Sequence, residues 1–293
     1  MLSQLKNAEE SSAYLAQNAF LKHIYGASAE ALLVDGTPEA LKRLSREDLI
    51  QFHRQHYRLN NMMISVSGHF SEAIQSLITS PVSEKSHPQA LSFPPLKLPG
   101  LSSYQTHIKT PDKDQCVVLM GHIGVQRDDP DFMPLMVLDI LLGQGPGFSS
   151  RLPQLLRDKH GLVYHLSFSA TQNAHLYPGI MQTYIECSPD KVGQCLQLVR
   201  QELERVCTEA VSETELKTIQ DYLQGQLYFC FETNAQRCSY FLHKHLFKWS
   251  THHLSDYVQQ LQSITPAVLQ SAAQKHFKLQ EQTLITAGPE PIF

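Results

Sequence analysis

The 293-residue sequence has little cysteine, and its cysteines lack the spacing of a metal-binding or redox motif. No two of the six form a C-x-x-C pair, and six in a chain of this length are too sparse for a disulfide framework. We therefore expect buried free thiols that pack as small hydrophobic side chains. The six are Cys116, Cys187, Cys195, Cys207, Cys230 and Cys238.

Long apolar runs and an excess of basic residues are also absent. No stretch approaches the roughly 18 consecutive apolar residues of a membrane helix, so no membrane span is predicted. Lysine and arginine total 24 against 28 acidic residues, so the chain lacks the excess of basic residues that is typical of a nucleic-acid-binding protein. With 42% hydrophobic and 18% charged residues, the chain can bury ordinary cores in two domains.

Several catalytic motifs are missing as well. The sequence contains neither H-E-x-x-H nor H-x-x-E-H, so no metal site is predicted on this chain itself. It has no G-x-S-x-G elbow, which argues against a serine hydrolase. The glycine-rich run at 143–147 lacks the G-K-[ST] of a phosphate-binding loop. We interpret Gly143, Gly145 and Gly147 as a flexible hinge.

One stretch of the sequence occurs twice, 220 positions apart and without a gap. Leu41–Gly68 aligns with Leu261–Gly288, and within them Gln55–Leu59 aligns with Lys275–Leu279. Each copy contains a helix cap, an aromatic helix end, a basic turn and an alternating segment that closes at glycine. The sequence therefore predicts a tandem repeat of one module.

The two copies of this module are predicted to differ in completeness. The second copy begins near residue 101 and closes at Gly288, whereas the first closes at Gly68. We therefore expect about 120 residues of an equivalent first module to be missing before Met1. The predicted organisation is the C-terminal part of a first module at 1–80, a proline-rich linker at 81–100 and a complete second module at 101–293.

Local patterns predict the elements of both modules. In the first we expect a helix over 3–24, a helix at 45–56 that begins with a Ser45/Asp48 capping box, and a strand at 62–67. Ser212 and Glu215 predict a second capping box. The strands expected in the second module lie at 115–123, 162–170 and 180–187, and its helices at 132–142, 149–159 and from 189. This alternation indicates an α+β fold in which each module is a sheet with helices packed on one face.

Two neighbouring segments carry the most specific signal in the chain. Gly147–Leu152 reads GFSSRL, and Leu156–Tyr164 reads LRDKHGLVY. Together they resemble the second-domain signature of the pitrilysin/insulinase-type zinc metallopeptidases, the inverzincins. The resemblance implies that Arg157 and Tyr164 project toward the zinc site of a facing domain and contact the substrate carbonyl. The alternative is structural: Arg157 as a solvated helix residue and Tyr164 as a core aromatic.

The same resemblance covers nearly the whole chain and bears on zinc. It implies that the helix ending at Tyr25–Gly26 corresponds to the one that carries a glutamate zinc ligand in active members, and Gln4 falls at that position. An uncharged amide is not the usual ligand, so Gln4 argues against a working site. Glu9 and Glu10 lie more than a helical turn further along, and either would take this position only after a shift in register. Zinc is therefore expected on a partner or on a missing N-terminal segment, and the chain alone is expected to be inactive.

These observations predict a non-catalytic partner subunit, or a truncated piece, of a zinc metallopeptidase. Arg157 and Tyr164 would help bind a peptide or unfolded protein at the zinc site of a partner, which is a zinc-bearing homologous subunit or another copy in a homo-oligomer. Two alternatives stay open: a fragment of an active single-chain protease, and a purely structural assembly subunit. The resemblance favours a bacterial periplasm or cell envelope, whereas the sequence itself leaves the compartment open.

Overall fold

The computed structural model describes residues 2–58, 61–83, 96–100, 102–110, 113–146 and 149–293. The described residues belong to two compact units. Unit 1 comprises Met1–Thr37, Leu96–Tyr222 and Tyr257–Phe293, and unit 2 comprises Pro38–Pro95 and Leu223–Asp256. The α-helices in chain order are α1 (Leu2–Glu9), α2 (Ser12–Tyr25), α3 (Pro38–Arg43), α4 (Arg46–His56), α5 (Glu72–Ser83), α6 (Phe132–Asp139), α7 (Arg151–Pro153), α8 (Val192–Thr208), α9 (Glu213–Phe229), α10 (Asn234–Leu246), α11 (His253–Ser263) and α12 (Pro266–His276).

Unit 1 is built on one five-stranded sheet. Its strands are β1 (Tyr104–Lys109), β2 (Cys116–Ile123), β3 (Val163–Gln172), β4 (Ile180–Cys187) and β5 (Thr283–Gly288). They are arranged in the order β1-β5-β2-β4-β3, with β1 parallel to β5 and the other neighbours antiparallel. The predicted α+β class is confirmed. Strands β2, β3 and β4 match the predicted strands, and β5 matches the alternating segment that ends the second copy of the repeat at Gly288, whereas β1 was not predicted.

Helices cover both faces of this sheet. Phe168, Thr183, Met120 and Leu284 are successive cross-strand partners and therefore share one face. Phe277, next to the end of α12, packs on that face, with ring centroids 5.9 Å from Phe168. Helix α2 packs on the opposite face in a buried cluster that includes Ala16, Phe20, Ile24, Val117, Leu119, Ile285 and Ala287. A helix from the predicted first module thus completes the core of the second, an arrangement that the sequence did not reveal.

The N-terminal helix differs from its prediction. A single helix over 3–24 was expected, but α1 ends at Glu9 and α2 begins at Ser12. The prediction of one continuous helix is wrong at this point. The Ser11 side chain accepts a hydrogen bond from the Tyr14 amide at 3.4 Å and so caps a new helix. Gly26, with φ of 61°, ends α2 in a conformation that favours glycine.

Unit 2 contains α3, α4, α5, α10 and the adjoining parts of α9 and α11. The predicted capping box of α4 is confirmed, since the Ser45 hydroxyl accepts from the Asp48 amide at 3.2 Å and Asp48 accepts from the Ser45 amide at 2.8 Å. The predicted strand at 62–67 is wrong: this segment has no strand assignment. A strand requires a neighbour with which to exchange backbone hydrogen bonds, and the described residues contain no strand paired with it.

The module boundaries at 80 and 100 stay predictions. A repeat is defined by shared ancestry, whereas the two compact units are defined by contacts within the structure, so the units do not test these boundaries. Residues 84–95, most of the predicted linker, lie outside the described residues. Within the described part of the chain, no helix combines the length and apolar character needed to cross a bilayer.

Candidate functional site

Arg157 lies on a π-helical segment, Gln154–Lys159, that continues α7. Leu152 and Leu156 are fully buried and anchor one side of this helical stretch in unit 1. The Arg157 side chain is 35% exposed, and its Nε donates to Asp158 Oδ1 at 3.0 Å. Single π-helical turns are frequent at functional sites.

Tyr164 lies at the start of the edge strand β3, one short turn after Arg157. The turn is closed by bonds from the Gly161 amide to the Arg157 carbonyl (3.0 Å) and from the Leu162 amide to the Leu156 carbonyl (2.8 Å). Gly161 has a φ of 60°, a left-handed conformation that glycine adopts without steric cost.

The orientation of Tyr164 results from a β-bulge. Val163 pairs with Cys187 and His165 with Glu186, so Tyr164 is an extra residue between two ladder positions. Bulges redirect side chains and are common next to active sites. The Tyr164 side chain is 78% exposed, so it is not the core aromatic of the structural alternative. Both candidate residues thus flank one turn, and their contact with substrate stays a prediction.

The glycine-rich run before this helix is held by specific contacts. A Cβ on Gly143 would lie 2.6 Å from the Phe168 Cβ and amide nitrogen on β3, so no larger residue fits there. The Gly145 amide donates to Ser150 Oγ at 2.6 Å, and Ser150 in turn donates to the Ile140 carbonyl at 2.8 Å. Gly147 lies outside the described residues. The hinge role of Gly143, Gly145 and Gly147 stays a prediction, and close packing is a second reason for glycine at Gly143 and Gly145.

Arg151 is the anchor of the helix that carries Arg157. Its Nε and one terminal nitrogen donate to the Glu215 carboxylate at 2.9 and 2.6 Å, and the other donates to Glu202 at 3.2 Å. Glu202 also accepts from Arg205 at 3.1 Å. These paired hydrogen bonds raise the pKa of Arg151. The helix is therefore tied by charge to both α8 and α9.

The pairing of Glu215 with Arg151 corrects the predicted capping box of Ser212 and Glu215. Ser212 Oγ does accept from the Glu215 amide at 3.2 Å, as a capping box requires. The Glu215 carboxylate, however, bonds to Arg151 instead of closing the box. Two parallel hydrogen bonds from a guanidinium to a carboxylate are stronger than one bond to that carboxylate from an uncharged backbone amide, so Glu215 pairs with Arg151.

Asp139 ties α6 to β3 from inside the core. The carboxylate is 2% exposed and accepts hydrogen bonds from the Ala170 amide and from the hydroxyls of Ser169 and Thr171. Burial raises the pKa of Asp139 to about 7, although the hydrogen bonds oppose the rise. Its partners lie where the β3–β4 register shifts, between Ser169 and Gln172. Asp139 therefore fixes β3 at the end opposite Tyr164.

The expected zinc-ligand position is exposed. Gln4 lies on α1 with its side chain in solvent. Among the described residues, the one group of acidic, histidine or cysteine side chains with metal-ligand spacing is Asp129, Asp131 and His276, in unit 1. Asp131 already accepts from His276 Nε2 at 2.8 Å and Lys275 Nζ at 2.5 Å. These bonds lower the pKa of Asp131 and indicate an ion-pair network between the start of α6 and the end of α12.

Sequence reasoning did not assign roles to Arg151 and Asp139. A signal was present for each: Asp139 is the only charged residue in the apolar stretch 132–142, and Arg151 belongs to the GFSSRL segment. Neither signal names a partner, because Glu215 and Ala170 lie 64 and 31 positions further along the chain.

Comparison with known proteins places these residues in a family. A family described as the peptidase M16 inactive domain matches residues 43–223. An uncharacterized zinc protease from Streptomyces coelicolor is 23% identical over 241 residues, covering 77% of this chain and 50% of that protein. Mitochondrial-processing peptidase subunit beta from Bos taurus is 25% identical over 228 residues, covering 69% of this chain and 42% of that subunit. The chain spans about half the length of these relatives.

Solved structures support the fold. A peptidase M16 inactive domain from Pseudomonas fluorescens superposes with a TM-score of 0.85 at 22% identity, covering 98% of this chain and 68% of that one. The periplasmic protease PqqL from Escherichia coli gives a TM-score of 0.74 at 15% identity, covering 98% of this chain and 32% of that one. At these identities the likeness shows the fold alone.

Proposed function

Because the chain belongs to the peptidase M16 inactive-domain family, we propose that it is the non-catalytic partner of a zinc-bearing homologous subunit. In this proposal the zinc is held by the partner, and this chain supplies contacts to a peptide or unfolded segment bound between them. The relatives named zinc protease and mitochondrial-processing peptidase subunit beta support a role in proteolysis. The periplasmic neighbour supports a location in the bacterial envelope.

The observation that carries the proposal is the bulge at Tyr164. It directs a phenol out of an edge strand directly after the turn that follows Arg157, and both groups are hydrogen-bond donors. When water attacks a peptide carbonyl, negative charge develops on the carbonyl oxygen. Fixed donors aimed at that oxygen lower the barrier, and the loss of one donor reduces kcat by roughly 10²- to 10³-fold. The π-helical turn and the bulge would hold the two donors before substrate arrives.

The test is peptide hydrolysis by the complex of this chain with a zinc-bearing homologue. Arg157→Met and Tyr164→Phe remove one donor each, and we expect each to reduce kcat by at least tenfold while the complex still assembles. Tyr228→Phe is the matched control, because Tyr228 is 77% exposed on α9. Unchanged turnover in both site variants would remove the proposed role, and loss of assembly would assign Arg157 or Tyr164 to the subunit interface instead.

A further inference from the structure

Three of the six cysteines lie close together in unit 1. Cys116, the first residue of β2, is the ladder partner of Cys187, the last residue of β4. Because side chains alternate along a strand, both share the sheet face of Met120 and Thr183. The Cys187 thiol also donates a hydrogen bond to the sulfur of Cys195 on α8. All three residues are free thiols and at most 2% exposed, and together they form a buried thiol cluster.

Cys187 thus has two neighbouring thiols, and the contacts of these neighbours differ. The Cys116 thiol donates to the Pro289 carbonyl at 3.0 Å, so its hydrogen is engaged by the segment that follows β5. Cys195 accepts directly from Cys187, and the chain between them turns through the short 3₁₀ helix Pro189–Lys191. A disulfide requires two sulfur atoms that face each other, on Cβ atoms about 3.5 to 4.5 Å apart. Within the buried thiol cluster, Cys187 and Cys195 are therefore the pair best placed to form a bond.

The surroundings of the two thiols assign them different roles. Cys195 lies in the first turn of the 17-residue helix α8, where the positive end of the helix dipole favours a thiolate. The hydrogen bond from Cys187 lowers the pKa of Cys195, and the charge of Lys191 acts in the same direction. The same hydrogen bond and burial raise the pKa of Cys187. Since the thiolate is the reactive form, Cys195 is the nucleophile of the pair and Cys187 is its partner.

We propose that Cys187 and Cys195 are a redox pair that a hydroperoxide converts into an intramolecular disulfide. The Cys195 thiolate attacks a peroxide oxygen, the O–O bond breaks, and the leaving hydroxide takes up the proton that Cys195 released. The Cys187 sulfur then attacks the sulfur of the Cys195 sulfenic acid, and the displaced hydroxide leaves as water with the Cys187 proton. Two thiols are oxidised by two electrons, and one hydrogen peroxide becomes two waters. The bond ties the end of β4 to α8, which also carries Glu202, a partner of Arg151. This inference is independent of the proposed proteolytic role.

The pairing can be mapped by mass spectrometry of the folded full chain. The chain carries Cys230→Ser, which removes an exposed thiol, and is treated with hydrogen peroxide before the remaining thiols are blocked with N-ethylmaleimide. Trypsin then places the three clustered cysteines in separate peptides, 114–127, 160–191 and 192–200. We expect a disulfide between peptides 160–191 and 192–200, at least tenfold more abundant than one between 114–127 and 160–191. Dithiothreitol should remove it.

Three variants test the roles of the individual thiols. In Cys187→Ala the sulfenic acid at Cys195 has no partner, and we expect dimedone to label Cys195 at least tenfold more than it labels Cys187 in Cys195→Ala. Cys116→Ala is the matched control and should keep the link between peptides 160–191 and 192–200. A predominant link from Cys116 to Cys187, or loss of the expected link in Cys116→Ala, would overturn the pairing. No link at peroxide concentrations that oxidise the exposed Cys230 of the unsubstituted chain, or a link that forms only in urea, would overturn the proposal as a whole.

Discussion

Replacement of Asp139 by asparagine should remove a pH-dependent loss of stability. Asparagine has the same shape and accepts from the Ala170 amide, and its NH₂ donates to the hydroxyls of Ser169 and Thr171 once these reverse direction. The fold of unit 1 is therefore expected to tolerate the change. What disappears is a carboxyl group that burial keeps protonated to about pH 7.

The sign of the effect follows from the raised pKa. Below the ordinary value of 3.8 the carboxyl is protonated in both the folded and the unfolded chain, so its contribution to stability is complete. As the pH rises from 3.8 to about 7, the unfolded chain releases the proton while the folded chain keeps it, and folding loses stability. At about 1.36 kcal/mol per unit of pKa difference, a shift of this size costs up to roughly 4 kcal/mol.

The assay is urea unfolding followed by far-UV circular dichroism at several pH values between 4 and 8. Other groups titrate in this range, so the informative quantity is the free energy of unfolding of the wild type minus that of Asp139→Asn. We expect this difference to become more negative by about 1 to 4 kcal/mol from pH 4 to pH 7.5. Asp35→Asn, at an exposed aspartate, is the matched control. A difference for Asp139→Asn that does not change with pH, or that matches the control, would refute the reasoning.

Two further predictions concern stability. Arg151→Met should cost about 1 to 3 kcal/mol in urea unfolding, because Glu202, 6% exposed, loses one of its two cationic partners and keeps only Arg205. Adding Glu202→Gln should recover part of this loss, and no recovery would contradict the charge argument. Gly143→Ala should lower the free energy of unfolding by roughly 1 to 3 kcal/mol through the clash with Phe168, whereas Gly225→Ala, with open space inside α9, should raise it by about 0.5 to 1 kcal/mol. Equal effects of the two alanine variants in thermal unfolding would count against the packing explanation.

The strands that were predicted from sequence are those whose burial leaves a visible pattern. Seven of the eight residues of β2 are buried, and this apolar run is recognisable without knowledge of its neighbours. Strand β1 was missed because its residues are exposed or half-buried and mostly polar. Strand β1 forms because its backbone pairs with β5. Tyr104, for example, lies opposite Thr283, and a local sequence pattern cannot predict a partner so far along the chain.

The candidate site was predictable in its residues but not in its geometry. Arg157 and Tyr164 were identified from a resemblance, which gives positions along the chain and no directions in space. The bulge arises because β3 and β4 shift register between Val163 and His165, and that shift depends on both strands. The anchor at Arg151 depends in the same way on Glu202 and Glu215, which α8 and α9 bring to it only in the folded chain.

The repeat shows separately what local sequence and tertiary context determine. Both copies form the same capped helix and the same glycine conformation, because a helix cap depends on hydrogen bonds within a few residues. Only the second copy forms a strand, because a strand depends on neighbours that hold its backbone groups. Similar local sequence thus forms a buried strand in unit 1 and an exposed segment without strand pairing in unit 2.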